Sequence, residues 1–374
     1  MTRILTTHVG SLPGPPGYDA ASAHDDAALR AAVDWVVAQQ RAAGLDIINE
    51  GELTKGGDWL AFMDDRLGGF EDRPVPPGGA LVAQGQDRDA FADFYRHAAE
   101  RQTLFFTADN RMKLARRYTA ATGPVIYAGL PALEREIAAL RAVVGDPRDC
   151  FLTSTAPSSL EPYRGNEYYT TPEEFVWALA EALRVEYEAI VNAGFLLQVD
   201  DAWTAALWDR IGVTMGLEAF RRRCFVRVEA LNHALRNVPQ DRVRYHFCWG
   251  SWHGPHAFDL PLADLVDVML AVKAKYYSFE AANVRHEHEY HVWERVPLPP
   301  GKVILPGVVT HSTDLIEHPA LVSERIQRFA RLVGPDRVIA SCDCGFGGRT
   351  HPQIAWAKLK SLCEGAALAS AALA

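Results

Sequence analysis

Long apolar runs are missing from this 374-residue sequence. No stretch approaches the roughly 20 apolar residues of a membrane span, and the N-terminal Met-Thr-Arg-Ile-Leu-Thr-Thr-His lacks the apolar segment of a secretory signal. A cytoplasmic chain is expected. An excess of basic residues is missing as well: Lys and Arg number 38 against 47 Asp and Glu, for a net charge of −9 and a pI near 5.8. That balance disfavours nucleic acid and anionic membranes as partners, since both call for clustered cations, and leaves small molecules as the default. Cysteine is sparse. Cys150, Cys224, Cys248, Cys342, Cys344 and Cys363 are too few for a disulfide scaffold, and in a reducing compartment such thiols serve as ligands or as core. Also absent are an internal repeat, a low-complexity tract other than the Ala-rich tail at 366–374, and a Gly-rich phosphate fingerprint after an early strand.

What is present is an ordinary enzyme-like composition, 48% hydrophobic and 23% charged, enough to bury a sizeable core. Short β-rich runs ending in polar residues alternate with helical patterns, which implies a parallel sheet. Nine candidate strands fall at 3–11, 45–52, 124–129, 150–156, 194–201, 242–249, 276–281, 302–309 and 337–344. Between them, residues 172–193 read as a helix: Thr171 caps, Pro172 suits the first turn, Glu173 and Glu174 favour the dipole, and Gly194 stops it. Residues 319–333 and 25–43 repeat the design. Eight or so such units predict an α/β chain folded as a (β/α)8 TIM barrel, a single domain over 1–374, with residues 70–123 as an insertion near the mouth.

In such a barrel the chemistry gathers at the C-terminal ends of the strands. Residues i and i+2 of a strand share a face, so His246 and Cys248 can enter one cavity, with Glu280 and Cys344 arriving from neighbouring strand ends. Imidazole, thiolates and a carboxylate suit zinc. Ligands scattered over separate strand ends, unlike a local Cys-x2-Cys clip, imply a preformed cavity open to substrate. Zn2+ with two thiolates and one carboxylate sums to about −1, a charge that keeps an incoming thiolate electron-rich. The expected chemistry is attack by a zinc-bound substrate thiolate on an electrophilic carbon. Packing is the alternative for each residue alone, because buried Cys is a common small hydrophobe and a strand-end Glu is commonly ion-paired. Cys342 and Cys344 both remain open as the second thiolate.

The stretches TTHVGSLPGP (6–15), HFC (246–248), Glu280, THS (310–312) and DCGFGGR (343–349) resemble the cobalamin-independent methionine synthase family, specifically its C-terminal catalytic barrel. The likeness runs in order over nearly the whole chain. It implies a (β/α)8 fold and zinc held by His246, Cys248, Glu280 and Cys344, the last preferred to Cys342 because the family pattern reads Asp-Cys-Gly. It further implies Asp200 at the amino group of homocysteine, Glu52 as an assisting carboxylate, Ser11 beside the substrate carboxylate, and His311 as a proton shuttle, a role suited to a side chain titrating near neutrality. The length accommodates one barrel where full-length family members have two. FLTSTAPSSL (151–160) lacks the tryptophan on which folate-using members stack the pterin. RHEHEYHVWE (285–294) and LEPYRGNEYY (160–169) look like a stand-alone branch that includes epoxyalkane:coenzyme M transferases. The partners implied are a small-molecule thiol and an alkyl donor.

Other residues carry two readings. His286, Glu287, His288 and Glu289 suggest a second metal or a loop network, with the network favoured; Trp249, Trp252 and Trp293 wall the pocket or pack. Arg164 and Arg285 are candidates for an anionic substrate end, His8 lies near the mouth, and Asp201 and Asp343 suit an orienting role. Three classes of function follow: a zinc-dependent methyltransferase, an epoxide-to-thiol transferase, or a non-catalytic zinc or small-molecule binding protein. The related uroporphyrinogen decarboxylase barrel works without metal and would leave His246 and Cys248 unexplained.

Overall fold

The structure is a computed structural model that describes residues 3–19, 22–55, 60–77, 79–101, 103–104 and 117–374. Seven parallel strands run round the molecule: β1 (Leu5–Thr6), β4 (Phe151–Thr155), β6 (Leu196–Asp201), β7 (Val243–Phe247), β8 (Tyr276–Phe279), β9 (Val303–Val309) and β10 (Ile339–Cys342). They lie in the order β1-β10-β9-β8-β7-β6-β4. The gap between β4 and β1 is closed by a short extended segment. Ile48 bridges Cys150 in parallel, the Phe151 N–H donates to the Ile48 carbonyl at 3.0 Å, and the Ile47 N–H donates to the Thr6 carbonyl at 3.0 Å. Eight positions thus form the TIM-barrel-like α/β fold, as expected.

The ninth expected strand, 124–129, is not in the barrel. It is the end of β3 (Thr119–Tyr127), which pairs antiparallel with β2 (Leu67–Asp72) and parallel with β5 (Arg164–Asn166) in a separate three-stranded sheet. β2 and β3 bracket the expected insertion, and between them lie the helices Gln86–Ala90 and Ala92–Arg101. Local alternation of side chains favours an extended backbone in either sheet; which partner it meets is a tertiary matter.

The outer helices follow the local signals. Pro172–Asn192 is capped by the Thr171 hydroxyl, which accepts from the Glu174 N–H at 3.1 Å, and Asp26–Ala43 by Asp25, whose carboxylate accepts from Ala27 and Ala28. Such caps stabilise a helix end by about 1 kcal/mol each. Phe175, Leu179, Leu183, Tyr187 and Ile190 form the buried stripe of the first, each worth roughly 1.5–3 kcal/mol in transfer from water. Pro319–Val333 buries Val322, Ile326 and Phe329 in the same way. Among the described residues no helix is long and apolar enough to cross a membrane.

The barrel interior is layered. Ile47, Phe151, Leu196, Leu305 and Ile339 make an apolar floor. Two residues further along β6 and β7 the layer turns polar, with Gln198 and the fully buried Arg244. Arg244 donates to the His8 carbonyl at 2.7 Å and the Thr7 hydroxyl at 3.1 Å, and its guanidinium lies 3.7 Å from the centre of the Phe151 ring. Burial holds its pKa down at about 9. Two residues further still are Asp200 and His246, in the functional layer.

Candidate active site

At the C-terminal ends of the strands is a cavity of about 440 Å3, lined among others by Ser11, Glu52, Asp200, His246, Cys248, Cys344 and Arg349. His246 and Cys248 leave β7 on one face. A potential ligand atom from each of His246, Cys248 and Cys344 lies within 4.8 Å of the other two. Ser278 on β8 sits within hydrogen-bond distance of His246 Nδ1 at 3.1 Å, leaving the buried Nε2 without a partner. The two thiols share a hydrogen bond that raises the pKa of Cys248 and lowers that of Cys344, so Cys344 ionises first. An orphaned imidazole nitrogen beside two sulfurs, one of them readily anionic, is a donor set that fits zinc.

Glu280 lies outside that three-residue group. Its Oε1 accepts the Trp249 N–H at 2.9 Å and its Oε2 accepts from the Asn283 amide at 2.7 Å. Burial raises its pKa to about 7, against the opposing charge of His286. Asp343 anchors the same loop, accepting the N–H groups of Ala281 and Ala282 at 2.7 and 2.9 Å. Asp201 ties strand ends together, accepting the hydroxyls of Ser158, Thr204 and Tyr245. Asp343 also accepts from the Asn283 amide that bonds Glu280, whereas Asp201 meets none of the candidate ligands.

Glu52 and Asp200 line the cavity as a carboxylate pair. Glu52 has a positive φ of 58°, a strained backbone for a residue with a side chain, and Gly10 opposite makes room for it: a Cβ on Gly10 would stand 2.4 Å from Glu52 Oε1. The Thr153 hydroxyl donates to Glu52 at 2.8 Å, and Lys55 donates to the Thr153 carbonyl at 2.6 Å. Behind them Lys55, Glu136, Arg66 and Glu186 form a buried chain of ion pairs. Burial raises the pKa of Asp200 to about 7, with His246 opposing and Glu52 reinforcing the shift. A buried carboxyl whose ionisation is disfavoured beside a second carboxylate is suited to receive a cation.

Ser11 is half-buried at the rim. Its carbonyl accepts the N–H groups of Phe346 and Gly347 at 2.8 and 3.0 Å, and a Cβ on Gly347 would meet Ser11 Oγ at 2.2 Å, so the DCGFGGR loop needs glycine there to lie against the end of β1. Arg349 completes the rim beside Cys344, donating to the Ser251 hydroxyl and to the Gly347 carbonyl. Arg349 belongs to the DCGFGGR motif, and its place at the cavity is visible only in the fold. His311 is buried near Cys344 and Arg349 and does not line the cavity. Burial lowers its pKa to about 3, so it is neutral at pH 7, not poised at neutrality as its sequence position suggested.

Several other expectations resolve. His286 and Glu289 join Asp259 and His256 in a hydrogen-bonded network, the loop reading favoured for that stretch. Trp252 lines the cavity, Trp249 is buried against His286, and Trp293 packs on Phe279. Arg164 is ion-paired to Asp64 and Arg285 donates to the Ala257 carbonyl, and neither lines the cavity, whose arginines among the described residues are Arg88, Arg117, Arg210 and Arg349. His8 is fully buried and its ring nitrogens meet Gln40 and the Gly10 N–H, which makes it structural.

No family model matches the chain. Among curated proteins it is similar to the methionine synthase of Sulfolobus acidocaldarius, 22% identical over 358 residues that cover 92% of this chain and 86% of that one. It is also similar to the methionine synthase of Thermococcus kodakarensis, 24% identical over 56% of this chain and 54% of that one, so the match spans only about half of that relative. A solved B12-independent methionine synthase from Shewanella sp. W3-18-1, in complex with selenomethionine, superposes over 99% of both chains with a TM-score of 0.70 at 18% identity, which shows the shared fold. The chain is thus similar in sequence to curated methionine synthases over most of its length and shares its fold with solved B12-independent methionine synthases.

Proposed function

We propose that this protein is a zinc-dependent thiol S-alkyltransferase, a single catalytic barrel that moves a methyl group from a small-molecule donor to homocysteine. The observation that carries the reading is the placement of two different recognition sets on one cavity: a His246/Cys248/Cys344 ligand group and, facing the same space, the carboxylates Glu52 and Asp200. Thiolate chemistry alone would need only the first. A carboxylate pair beside it calls for a substrate that carries both sulfur and an ammonium group, as homocysteine does. The names of the curated relatives support the same substrate.

Zinc would be held by His246, Cys248 and Cys344, with Glu280 as the fourth ligand once it exchanges its bonds to Trp249 and Asn283; when bound, it supplies the Lewis acidity that lowers a substrate thiol's pKa. Asp200 and Glu52 hold the ammonium and fix the direction of the amino acid. Ser11, with Arg349 beside it, receives the carboxylate. The new S–C bond forms as the donor's bond to the same carbon breaks, the electron pair leaves on the donor, and the thiol proton balances the charge of that leaving group. His311, neutral and buried near Cys344 and Arg349, is the residue assigned to passing that proton.

The reading is tested by incubating zinc-loaded protein with L-homocysteine or with 2-mercaptoethanesulfonate, each against methyltetrahydrofolate, methylcobalamin and a short epoxide, and detecting the thioether by mass spectrometry. Methionine is the expected product. A hydroxyalkyl thioether of the sulfonate thiol alone would move the protein to the epoxide-opening class, and absence of any thioether would remove the catalytic assignment.

A further inference from the structure

Glu50 is a fully buried acid that the site described above does not use. Both of its side-chain oxygens are buried without a donor, and it makes no ion pair among the described residues. The charged groups facing it are Glu52 of its own segment, Lys55 of the turn that follows and Glu136 of the helix Leu130–Arg141. Lys55 is already committed: its ammonium donates to the Thr153 carbonyl at 2.6 Å and to the Thr153 hydroxyl, and lies 3.5 Å from Glu136 Oε1. Arg66 is committed as well, to Glu136 at 2.7 Å and to Glu186 at 3.1 Å, and Glu186 also accepts the hydroxyls of Tyr127 and, at 2.7 Å, of Ser154. Two cations thus balance the two carboxylates Glu136 and Glu186, and an ionised Glu50 would have no counter-charge.

The contact with Glu136 resolves that imbalance. The Glu50 carboxyl lies within hydrogen-bonding reach of Glu136, yet two carboxylates cannot bond each other while both are ionised, because each offers only acceptors. One proton on Glu50 turns the contact into a charge-assisted hydrogen bond and supplies a donor among oxygens that otherwise lack one, Glu50 Oε1 and Oε2 and Glu136 Oε1. Burial first, and the Glu136 charge second, push Glu50 well above the usual carboxylate range, whereas Lys55 and Arg66 outweigh burial and hold Glu136 below its ordinary value.

We propose that Glu50 is a neutral acid that donates its proton to Glu136 and acts as a positioning residue for substrate, at the far end of a buried relay through Glu136, Lys55 and Thr153 to Glu52. The last link is at the cavity, where the Thr153 hydroxyl, itself fixed by Lys55, donates to Glu52 at 2.8 Å. Glu50 touches no substrate. With its proton in place Glu136 is satisfied and Lys55 stays on Thr153; without that donor Glu136 draws Lys55 away, and the hydroxyl that aims Glu52 is released. The positioning role rests on the ammonium-binding reading of Glu52 above; the neutral acid does not.

The test compares, in the zinc-loaded full chain, Glu50→Gln, whose amide imitates the neutral acid and its donor, with Glu50→Met, which fills the space without a donor. The infrared difference between wild type and Glu50→Gln at neutral pH is expected to contain the carbonyl stretch of a protonated carboxylic acid. An acid whose pKa is higher in the folded than in the unfolded chain makes folding less favourable as pH rises, so the folding constant of Glu50→Gln relative to wild type, from urea unfolding, is expected to climb by up to about tenfold per pH unit between about pH 5 and about pH 7. An ionised, ion-paired Glu50 would give the opposite slope. Glu50→Met is expected to raise the KM for homocysteine about tenfold with kcat unchanged, as loss of an orienting hydrogen bond gives, and Glu50→Gln to keep the wild-type KM. A missing acid band, a flat or reversed slope, a Glu50→Gln chain that does not fold, or a Glu50→Met protein with the wild-type KM overturns the proposal; if Glu50→Met does not fold, the slope and the band decide. If wild type fails to bind homocysteine while the band and the slope appear, the substrate reading falls and the neutral acid stands.

Discussion

Replacing His286 by asparagine removes the centre of a buried charge cluster packed against Trp249. The His286 ring is within hydrogen-bond distance of Glu289 at 2.9 Å and of Asp259 at 3.2 Å, and it stacks on Trp249 with centroids 4.1 Å apart. Burial alone would lower its pKa, but the bonds to Asp259 and Glu289 outweigh it and raise the group from 6.5 to about 10. A raised folded-state pKa means that the stabilisation is complete below pH 6.5 and is lost as pH climbs to 10, because over that range the folded protein holds a proton that the unfolded chain has released. At 1.36 kcal/mol per pH unit the full span is on the order of 5 kcal/mol. Asp259 retains His256 at 3.0 Å and Glu289 retains the Leu262 N–H at 2.8 Å after the substitution, so the loss at pH 6.5 is expected nearer about 3 kcal/mol, the low end for breaking a buried pair. Urea unfolding of both proteins, followed by tryptophan fluorescence at several pH values from 6.5 to 10, measures the difference directly. The gap between wild type and variant should shrink steadily with rising pH. A gap that stays constant or widens would refute the reasoning.

Further outcomes are expected around the cavity. Cys248→Ser and Cys344→Ser should each lose most bound zinc while keeping the circular dichroism spectrum of the barrel, and stoichiometric metal in both would contradict the ligand assignment. Asp200→Asn should raise the KM for homocysteine by roughly tenfold or more, the value of one charge-assisted hydrogen bond, without weakening a thiol that has no amino group. His311→Ala should retain metal and slow turnover by about a hundredfold; unchanged turnover would end its proton-transfer role.

The outer helices were legible because their signals are local. Thr171, Pro172 and Gly194 act within a few residues of where they stand, and the helix follows. His246 and Cys248 were legible as a pair for the same reason, since a two-residue spacing at the end of β7 brings both to one cavity. Strand lengths were less so: the stretch expected over 3–11 is a strand only at Leu5–Thr6, its later part leading to the rim that carries Ser11, and 45–52 contributes a single bridge at Ile48. Pairing needs a neighbour at the right distance, which the alternation of residues does not encode.

The sequence by itself therefore determined the alternating α/β order, the chemistry at each strand end, and the class of metal those residues suit. Only the tertiary structure decided which of them meet. It put 124–129 in a side sheet, occupied the oxygens of Glu280, committed Arg164 to Asp64, and brought Arg88 from the insertion beside Arg210 on its π-helical turn. The physical reason is range: backbone preference and side-chain phase are settled over a few residues, whereas burial, charge pairing and the shape of a cavity depend on groups that are a hundred or more residues apart in the chain.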